Sequence, residues 1–326
     1  MRLSHFIAAT ALATVFQTAP FATQAQSQPY PNKPIRVIVP YAAGGSGDIV
    51  GRTVGARLTQ AWGVQVLIDN RAGAAGTIGT ALVAKSPADG YTLLLSDDSP
   101  FTITPHIRRE MPYDPENGLL PVIAVAVVEF VLTVNPSVPA SGIPELVALL
   151  KANPAKYSYA SSGIGSIHHL SMEWFKQLAG VDIVHIPYKG SGQILPDVIA
   201  GQVPITYTGL AQTMPMVKAG KLRALALGGP RRVSAATGVP SLAETYPGFN
   251  GTTAWNFFAP AGTPNTIVQK INSEVNAVLK LPDVAESLSS RGLYPVGGTV
   301  EEFSASLKEA NARWGRLIKQ IGLKPE

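Results

Sequence analysis

The 326-residue chain contains no cysteine. This absence excludes disulfide-stabilised scaffolds, cysteine-ligated zinc sites, iron–sulfur clusters and thiol catalysis. Charged residues are scarce, at 14% of the chain, and the formal net charge of +5 is not concentrated in any cluster of lysine and arginine. We therefore expect no nucleic-acid-binding surface, although the modest positive charge favours anionic small molecules as partners.

Apolar residues make up 46% of the sequence, which is enough to bury a large core. This composition excludes a disordered chain, and the length suggests about two domains. Without cysteine, the protein must be stabilised by core packing alone, even in an oxidising compartment.

The N-terminal residues have the pattern of an export signal. Arg2 and His5 precede an apolar run, Phe6 to Phe16, that is too short to cross a bilayer. Small residues follow, and Thr23-Gln24-Ala25 resembles a cleavage site, so residues 1–25 are predicted to be a signal peptide cleaved near Ala25. The alternatives are an N-terminal anchor helix and an ordinary buried helix. We expect the mature protein to be soluble and exported.

From Pro29 onward, strand and helix patterns alternate. The runs 35–39, 64–68 and 91–95 are rich in β-branched and apolar residues and predict three strands. Between the first two, apolar residues recur at helical spacing until Gly63, which is typical of a helix C-terminus. A second helix pattern separates the last two strands. The order βαβαβ predicts a parallel sheet covered on both faces.

The same order of elements recurs in the second half. Residues 157–160, 181–186, 203–207 and 222–227 are predicted strands, separated by helices over 167–178, 193–200 and about 214–219. A long apolar stretch, Val122 to Val134, leads into this unit, and Thr253 to Ala259 leads back. The sequence therefore predicts an α/β fold with two lobes joined by a two-strand hinge. Lobe 1 would comprise residues 26–127 and 254–326, and lobe 2 residues 128–253.

Two glycine-rich turns are the main candidates for a binding site. In an open parallel sheet, ligands bind beyond the carboxyl ends of the strands, where the turns Tyr41 to Asp48 and Ser161 to Ser166 each follow a strand and open a helix. The unpaired N–H groups and partial positive charge of a helix start attract anions. A turn from each lobe could thus hold one carboxylate, although such turns also serve as tight connections. We expect bulky substitutions at Gly45 and Gly165 to abolish binding with little loss of fold.

Sequence patterns that would indicate an enzyme or a cofactor site are weaker than the two glycine-rich turns. The first turn followed by Asp69 is reminiscent of a dinucleotide-binding unit of a Rossmann-type oxidoreductase, but the G-x-G-x-x-G spacing is broken. A secreted hydrolase with Asp48 or Asp97 as base is a second alternative. The pair Asp97-Asp98 could hold a cation or accept hydrogen bonds, or form an ordinary helix cap. His168 and His169 point in different directions on a helix and cannot chelate one metal.

A set of segments in fixed order gives the sequence a family resemblance. These segments are 40–48 (PYAAGGSGD), 69–76 (DNRAGAAG), 88–94 (ADGYTLL), 159–163 (YASSG), 187–190 (PYKG), 219–226 (AGKLRALA) and 259–264 (APAGTP). Together they resemble the Bug family, the substrate-binding proteins of tripartite tricarboxylate transporters. The resemblance covers essentially the whole mature chain. It implies a two-lobed, Venus-flytrap periplasmic-binding-protein architecture of type II, which closes on a small organic carboxylate.

The resemblance also implies which residues bind the ligand. The two turns would contribute mainly backbone N–H groups, Ser96 and Asp97 fall on the loop after the third strand, and Tyr188 lies in the PYKG turn. The expected ligand-binding residues are Tyr41, Ala43, Gly44, Gly45, Ser46, Asp48, Ser96, Asp97, Ser161, Ser162, Gly165, Ser166, His168, Tyr188 and Thr208. The aromatic side chains of Tyr41, Trp255 and Tyr207 are candidate pocket walls.

Several of these positions depart from the family pattern, among them Ser46-Gly47, Asp97-Asp98, His168 and Thr208-Gly209, so no relative's ligand can be transferred to this chain. The resemblance implies no enzymatic activity, no cofactor and no metal. It implies delivery of the acid to a membrane permease or a sensor kinase, a periplasmic location and a monomer.

Overall fold

The computed structural model describes residues 29–323 and Pro325. The predicted signal peptide lies outside the described residues. Eleven strands within this part of the chain form two separate sheets. The strands are β1 Ile35–Val39, β2 Val66–Asn70, β3 Thr92–Asp97, β4 Leu119–Val128, β5 Phe130–Val134, β6 Ser158–Ser161, β7 Val184–Pro187, β8 Ile205–Gly209, β9 Arg223–Leu227, β10 Thr253–Pro260 and β11 Leu293–Gly297.

Helices cover both sheets. They are α1 Ser46–Trp62, α2 Thr77–Ala84, α3 Ser99–Thr102, α4 Thr104–Ile107, α5 Ile143–Ala152, α6 Ile167–Ala179, α7 Ser191–Ile199, α8 Leu210–Lys218, α9 Leu242–Thr245, α10 Asn265–Leu279, α11 Pro282–Ser289 and α12 Val300–Gln320. Two short 3₁₀ segments, Ala74–Gly76 and Ser234–Ala236, complete the list. None of the helices in the described part of the chain combines the length and the apolar character that a membrane span requires.

The first sheet has the order β11-β4-β10-β3-β1-β2. Strands β1, β2 and β3 are parallel, as the βαβαβ pattern predicts. Strand β10 is antiparallel to both β3 and β4, so the complete sheet is mixed. Helix α1 ends where predicted: Gly63 has φ of 68° and donates its N–H to Thr59 O at 3.1 Å. Glycine adopts this left-handed conformation without the steric cost that other residues incur.

The second sheet has the order β7-β6-β8-β5-β9. Strands β6, β7 and β8 are parallel, and β5 is antiparallel to β8 and β9. The two-lobed α/β prediction is therefore confirmed. The residue-level lobe boundaries stay a prediction; the chain changes sheet at Glu129, between β4 and β5, and returns just before β10.

The strands next to the two crossings between the sheets are deeply buried. All five residues of β5 are buried, as are Phe257 and Phe258 of β10. Burying each large apolar side chain contributes roughly 1.5–3 kcal/mol, so these segments are fixed firmly in their sheets. The C-terminal helices α10 and α12 pack against β4 of the first sheet.

Candidate functional site

A cavity lies between the two sheets, where the carboxyl ends of β1, β3 and β7 lead into helices. The volume of the cavity is about 10 Å³. Residues from both sheets line it: Tyr41, Ala42, Gly45, Ser46, Gly47, Asp48, Asp97, Phe130, Ser162, His168, Ser191, Thr253 and Trp255.

The turn between β1 and α1 brings backbone to the cavity because glycine permits close approach. Gly44 has φ of +82°, and a Cβ at Gly45 would lie 2.8 Å from Ser191 Oγ. A Cβ at Gly47 would lie 2.3 Å from the indole of Trp255. The first-turn N–H groups of a helix have no intrahelical acceptor, so this end of α1 offers donors and a partial positive charge to the cavity.

Asp48 holds this turn in place. Its carboxylate accepts a hydrogen bond from the N–H of Gly44 at 3.1 Å and forms an ion pair with Arg52 Nε at 3.0 Å. A carboxylate near a helix N-terminus is also stabilised by the helix dipole. One carboxylate oxygen, Oδ1, has no hydrogen-bond partner among the described residues. Asp48 therefore serves the shape of the turn and is already partnered by a cation.

The second predicted turn, Ser161 to Ser166, contributes only part of its length to the cavity. Ser162 lines it, but Ser166 Oγ accepts from His169 N at 3.2 Å and so caps helix α6. Ser161 Oγ lies 2.5 Å from His185 Nε2 and accepts from the N–H of Gly163 at 3.0 Å. These two serines support the turn.

Gly165 does not fit the expectation that bulky substitution leaves the fold intact. Its φ is +89°, and an added Cβ would lie 3.2 Å from both Ile107 Cδ1 and Thr104 Oγ1 of the facing lobe. A larger residue there is strained in any conformation of its side chain. The expectation is corrected for Gly165. For Gly45, whose φ of −79° suits any residue, it stays a prediction.

Ser191 is a cavity residue that was not among the expected ligand-binding residues. It is 7% exposed and begins α7, directly after Gly190, and it faces Gly45 across the cleft. A Cβ on Gly192 would lie 2.0 Å from Ala43 O, so the two backbones touch. The signal was present in the sequence, because Gly190-Ser191-Gly192 is a glycine-rich turn between a strand and a helix. The predicted helix start at residue 193 missed it.

Asp97 is the carboxylate that projects into the cavity wall without a cationic partner. It is 4% exposed, and its Oδ1 accepts from Tyr41 Oη at 2.9 Å and from Ser99 N at 3.2 Å. Burial, together with the neighbouring Asp98, raises the pKa of Asp97 to about 7, against the lowering effect of the Tyr41 and Ser99 hydrogen bonds. Asp97 therefore takes up a proton at a higher pH than an ordinary aspartate does.

Asp98 lies beside the cavity and has different partners. Its Oδ1 accepts a short hydrogen bond from Thr253 Oγ1. Burial raises the pKa of Asp98 to about 6, while Thr253 and the charge of Arg313 act to lower it. Asp98 precedes α3, but its side chain makes no capping hydrogen bond, so the ordinary cap interpretation is wrong for it.

His168 presents a neutral imidazole to the cavity. It is 6% exposed, it packs edge-on against Phe130 with ring centroids 5.2 Å apart, and its Nδ1 has no hydrogen-bond partner among the described residues. Burial lowers the pKa of His168 to about 3. The ring is therefore uncharged at physiological pH and can both donate and accept one hydrogen bond.

Aromatic rings form the remaining walls. Trp255 meets Tyr41 edge-on at 5.7 Å between centroids and donates its Nε1–H to Ser46 Oγ at 3.2 Å. Phe130 completes this surface. Tyr207, an expected wall, lies outside the cavity: it is fully buried, stacks on Phe130 at 5.3 Å and donates to Gly251 O.

The sequence matches that of a known receptor family. The family model described as the tripartite tricarboxylate transporter family receptor, TctC, matches residues 50–323. The chain belongs to the TctC family. BugT of Bordetella pertussis is 35% identical over 309 residues, which cover 94% of this chain and 95% of that protein. The resemblance to the Bug family is thereby confirmed.

Two similar solved structures are of proteins with carboxylates. R. palustris Rpa4515 with adipate has a TM-score of 0.89 and 34% identity, covering 91% of this chain and 100% of that one. MatC from Rhodopseudomonas palustris with bound malate has a TM-score of 0.85 and 26% identity, covering 89% and 100%. This TctC-family chain is thus a solute-binding protein by family and by fold.

Some expected ligand-binding residues of this TctC-family chain do not line the cavity. Ser96 is fully buried within β3, and its Oγ lacks a partner in the described structure. Thr208 Oγ1 bonds Thr213 Oγ1 at 2.9 Å inside lobe 2, and Tyr188 donates to Asp197 at 2.6 Å. Ala43 and Gly44 shape the first turn behind Gly45. That these five residues contact the ligand stays a prediction.

The competing chemistries find little support in the TctC-family structure. Asp69, the acid that would hold a ribose, is ion-paired with Arg36 and with Arg71, the latter at 2.9 Å. Of the two acids named as a hydrolase base, Asp48 is ion-paired with Arg52 at 3.0 Å, and Asp97 accepts hydrogen bonds from Tyr41 Oη and Ser99 N. Within residues 29–323, no three histidine or acidic side chains gather as a metal site would require.

Proposed function

We propose that this chain is an exported receptor that binds a small organic carboxylate between its lobes and delivers it to a membrane permease or a sensor kinase. The observation that carries the proposal is the meeting of two helix N-termini, α1 and α7, across one cavity, with Gly45 and Ser191 in near contact. Each helix start directs N–H groups and partial positive charge toward the same point.

The available donors match the affinity such a receptor needs. Micromolar binding requires about 8 kcal/mol. A hydrogen bond to a charged group contributes roughly 1.5–3 kcal/mol and a helix dipole roughly 0.3–2 kcal/mol. Four or five donors therefore suffice after ordering costs, and the first-turn amides of α1 and α7 with the hydroxyls of Ser162 and Ser191 provide them.

Binding would require the lobes to separate and close. The cavity volume of about 10 Å³ is too small for an organic acid of several carbon atoms. We therefore infer hinge motion about the two connections between the sheets, at Glu129 and before Thr253. The adipate and malate of the two similar structures support a carboxylate as the ligand class for this chain.

The test is a ligand screen on the purified mature protein. A panel of aliphatic and aromatic mono-, di- and tricarboxylates, including malate and adipate, is added at increasing concentration. We expect one or more to raise the unfolding temperature, because saturation at 100 times the dissociation constant stabilises by about 2.7 kcal/mol. The bound acid should be recovered unchanged; its conversion to product would favour the hydrolase alternative.

A matched pair of variants locates the site. Gly45→Val places methyl groups against Ser191 Oγ, which is 2.8 Å from the position of an added Cβ, and should abolish the thermal shift. Gly142→Val is the control, because Gly142 is also a helix N-cap with extended backbone, at φ −158°, but lies at the start of α5. Retention of binding by Gly45→Val, or equal loss in both variants, would contradict the proposed site.

A further inference from the structure

The cavity is poor in positive charge for a site that is to hold an anion. Among the described residues, its lining includes two carboxylates, Asp48 and Asp97, and no lysine or arginine. Asp48 is neutralised by Arg52 at 3.0 Å. Asp97 is left as the uncompensated acid in the wall, where it would repel a carboxylate ligand whenever it is ionised.

The groups around Asp97 do not relieve this repulsion. The next residue in the chain, directly after the end of β3, is Asp98, which adds negative charge. Tyr41, from the end of β1, donates a hydrogen bond at 2.9 Å, and Tyr113 approaches from the loop after α4. Trp255, its cross-strand partner on β10, carries no charge.

The more distant elements add no counter-charge either. Arg313 of α12 acts on Asp98. His168 of α6 faces the same cavity, but burial lowers the pKa of this ring to about 3, so it stays neutral. Its Nδ1 is nevertheless buried without a partner in the described structure and is available to a ligand or its water. The hydrogen-bond donors around the cavity are thus neutral, and Asp97 is the acid whose charge can change there.

We propose that Asp97 takes up one proton when a carboxylate binds in the cleft. This inference rests on the proposed function. In the protonated form the Asp97 carboxyl no longer repels the ligand and gains an O–H that can donate to a ligand oxygen. Burial already holds the pKa of Asp97 at about 7, so the proton is acquired at small cost near neutrality. Asp97 thereby makes capture pH-dependent.

The proton count gives a direct test. The binding heat of each acid that gives a thermal shift in the panel, malate and adipate among them, is measured at pH 6 and pH 8 in two buffers that differ in ionisation enthalpy. Because a group with a pKa of about 7 is roughly nine-tenths ionised at pH 8, we expect about 0.9 proton taken up per ligand there, and roughly 0.1 at pH 6. The dissociation constant should be roughly tenfold larger at pH 8 than at pH 6.

Two variants assign the proton to its residue. Asp97→Asn should bind with no proton uptake and with an affinity that is equal at the two pH values. Asp98→Asn removes an adjacent acid that is not part of the lining. Because Asp98 helps to raise the pKa of Asp97, this variant should keep the proton uptake at pH 8 and the weaker binding at pH 8 than at pH 6, with the pH dependence shifted to lower pH. If Asp97→Asn does not fold, the proton count of the unaltered protein still decides whether uptake occurs.

The outcomes separate this inference from the function on which it rests. Carboxylate binding without proton uptake overturns the role of Asp97 and leaves the receptor function standing. Tighter binding at pH 8 overturns it too, and would mean that ionised Asp97 holds a positively charged group of the ligand. If no carboxylate in the panel binds, both the function and this inference fail.

Discussion

At the scale of single residues, the site depends on the absence of side chains at four glycines. Added Cβ atoms at Gly45, Gly47 and Gly192 would lie within 2.8 Å of atoms across the cavity or on its wall, at Ser191, Trp255 and Ala43. The backbone can therefore reach a ligand directly, and Gly44 supplies the left-handed turn that aims it, at φ +82°. Side-chain hydroxyls then add to an array of amides that is fixed by the fold.

Ser191 is the hydroxyl of lobe 2 whose contribution is easiest to isolate. Ser191→Ala should weaken carboxylate binding by roughly tenfold to a hundredfold, the equivalent of about 1.5–3 kcal/mol for a hydrogen bond to a charged group. The unfolding temperature without ligand should change little, and titration calorimetry measures the affinity. Ser304→Ala on α12, whose Oγ donates to Val300 O, is the control. Equal affinity in both variants would mean that Ser191 does not contact the ligand.

The sequence predicts which residues lie near the cavity where a local pattern is present, and fails where the position of a side chain depends on how the strands pair in a sheet. The turn Tyr41 to Asp48 could be recognised because a glycine-rich turn after a strand is a local pattern. The positions of Tyr207 and Thr208 could not be predicted in this way. Every residue of β8 is buried, so the sequence has no alternation of polar and apolar residues that would distinguish the two faces of the strand. Which of them faces Phe130 depends on the register of β8 with β5, a long-range property.

At the scale of elements, one residue changes the path of the chain. The apolar stretch from residue 122 to 134 looks like a single segment, but it divides at Glu129 into β4 and β5 of different sheets. Glu129 Oε1 accepts from Gly229 N at 2.7 Å and from Phe130 N at 3.2 Å, while its own N–H donates to Gly292 O at 2.9 Å. An acid inside an apolar run was the signal for this break.

The buried acid at this crossing should make the fold sensitive to pH. Burial raises the pKa of Glu129 to about 7, although the amides of Gly229, Phe130 and Gly228 act to lower it. Because the folded-state pKa lies above the unfolded value, the stabilisation is complete below about pH 4.5 and is lost as the pH rises through about 7. The full effect is roughly 3 kcal/mol for this difference in pKa.

Glu129→Gln should remove this dependence. The amide keeps an oxygen to accept from Gly229, so we expect the variant to exceed the parent in free energy of unfolding at pH 8 by up to about 3 kcal/mol, with a much smaller difference at pH 5. Urea unfolding at the two pH values measures this. Glu309→Gln, at an exposed position of α12, should change nothing. An unaltered pH slope in Glu129→Gln would show that Glu129 is ionised in both states.

At the scale of the whole molecule, the two lobes meet along more than the hinge. Ile167 N donates to Ser99 Oγ at 3.2 Å and Thr104 Oγ1 donates to Gly165 O at 3.3 Å, so the loop before α6 is bonded to the region after β3. These contacts join the lobes outside the lining of the cavity, which is itself too small for an organic acid. Ligand entry must break them, and closure over a ligand must restore or replace them.

A crosslink between the lobes tests whether opening is required. An added Cβ at Gly163 would lie 3.5 Å from the Cβ of Ala75 on the other lobe, within the separation a disulfide needs. Since the chain has no cysteine of its own, Ala75→Cys with Gly163→Cys introduces the only thiols. We expect the oxidised protein to bind carboxylates far more slowly, and a reductant to restore the rate in stopped-flow fluorescence.

Gly163 has φ of +116°, which strains any cysteine there, so both single variants serve as controls. Equal binding rates for the oxidised and reduced double variant would mean that ligands reach the site without separation of the lobes at this contact.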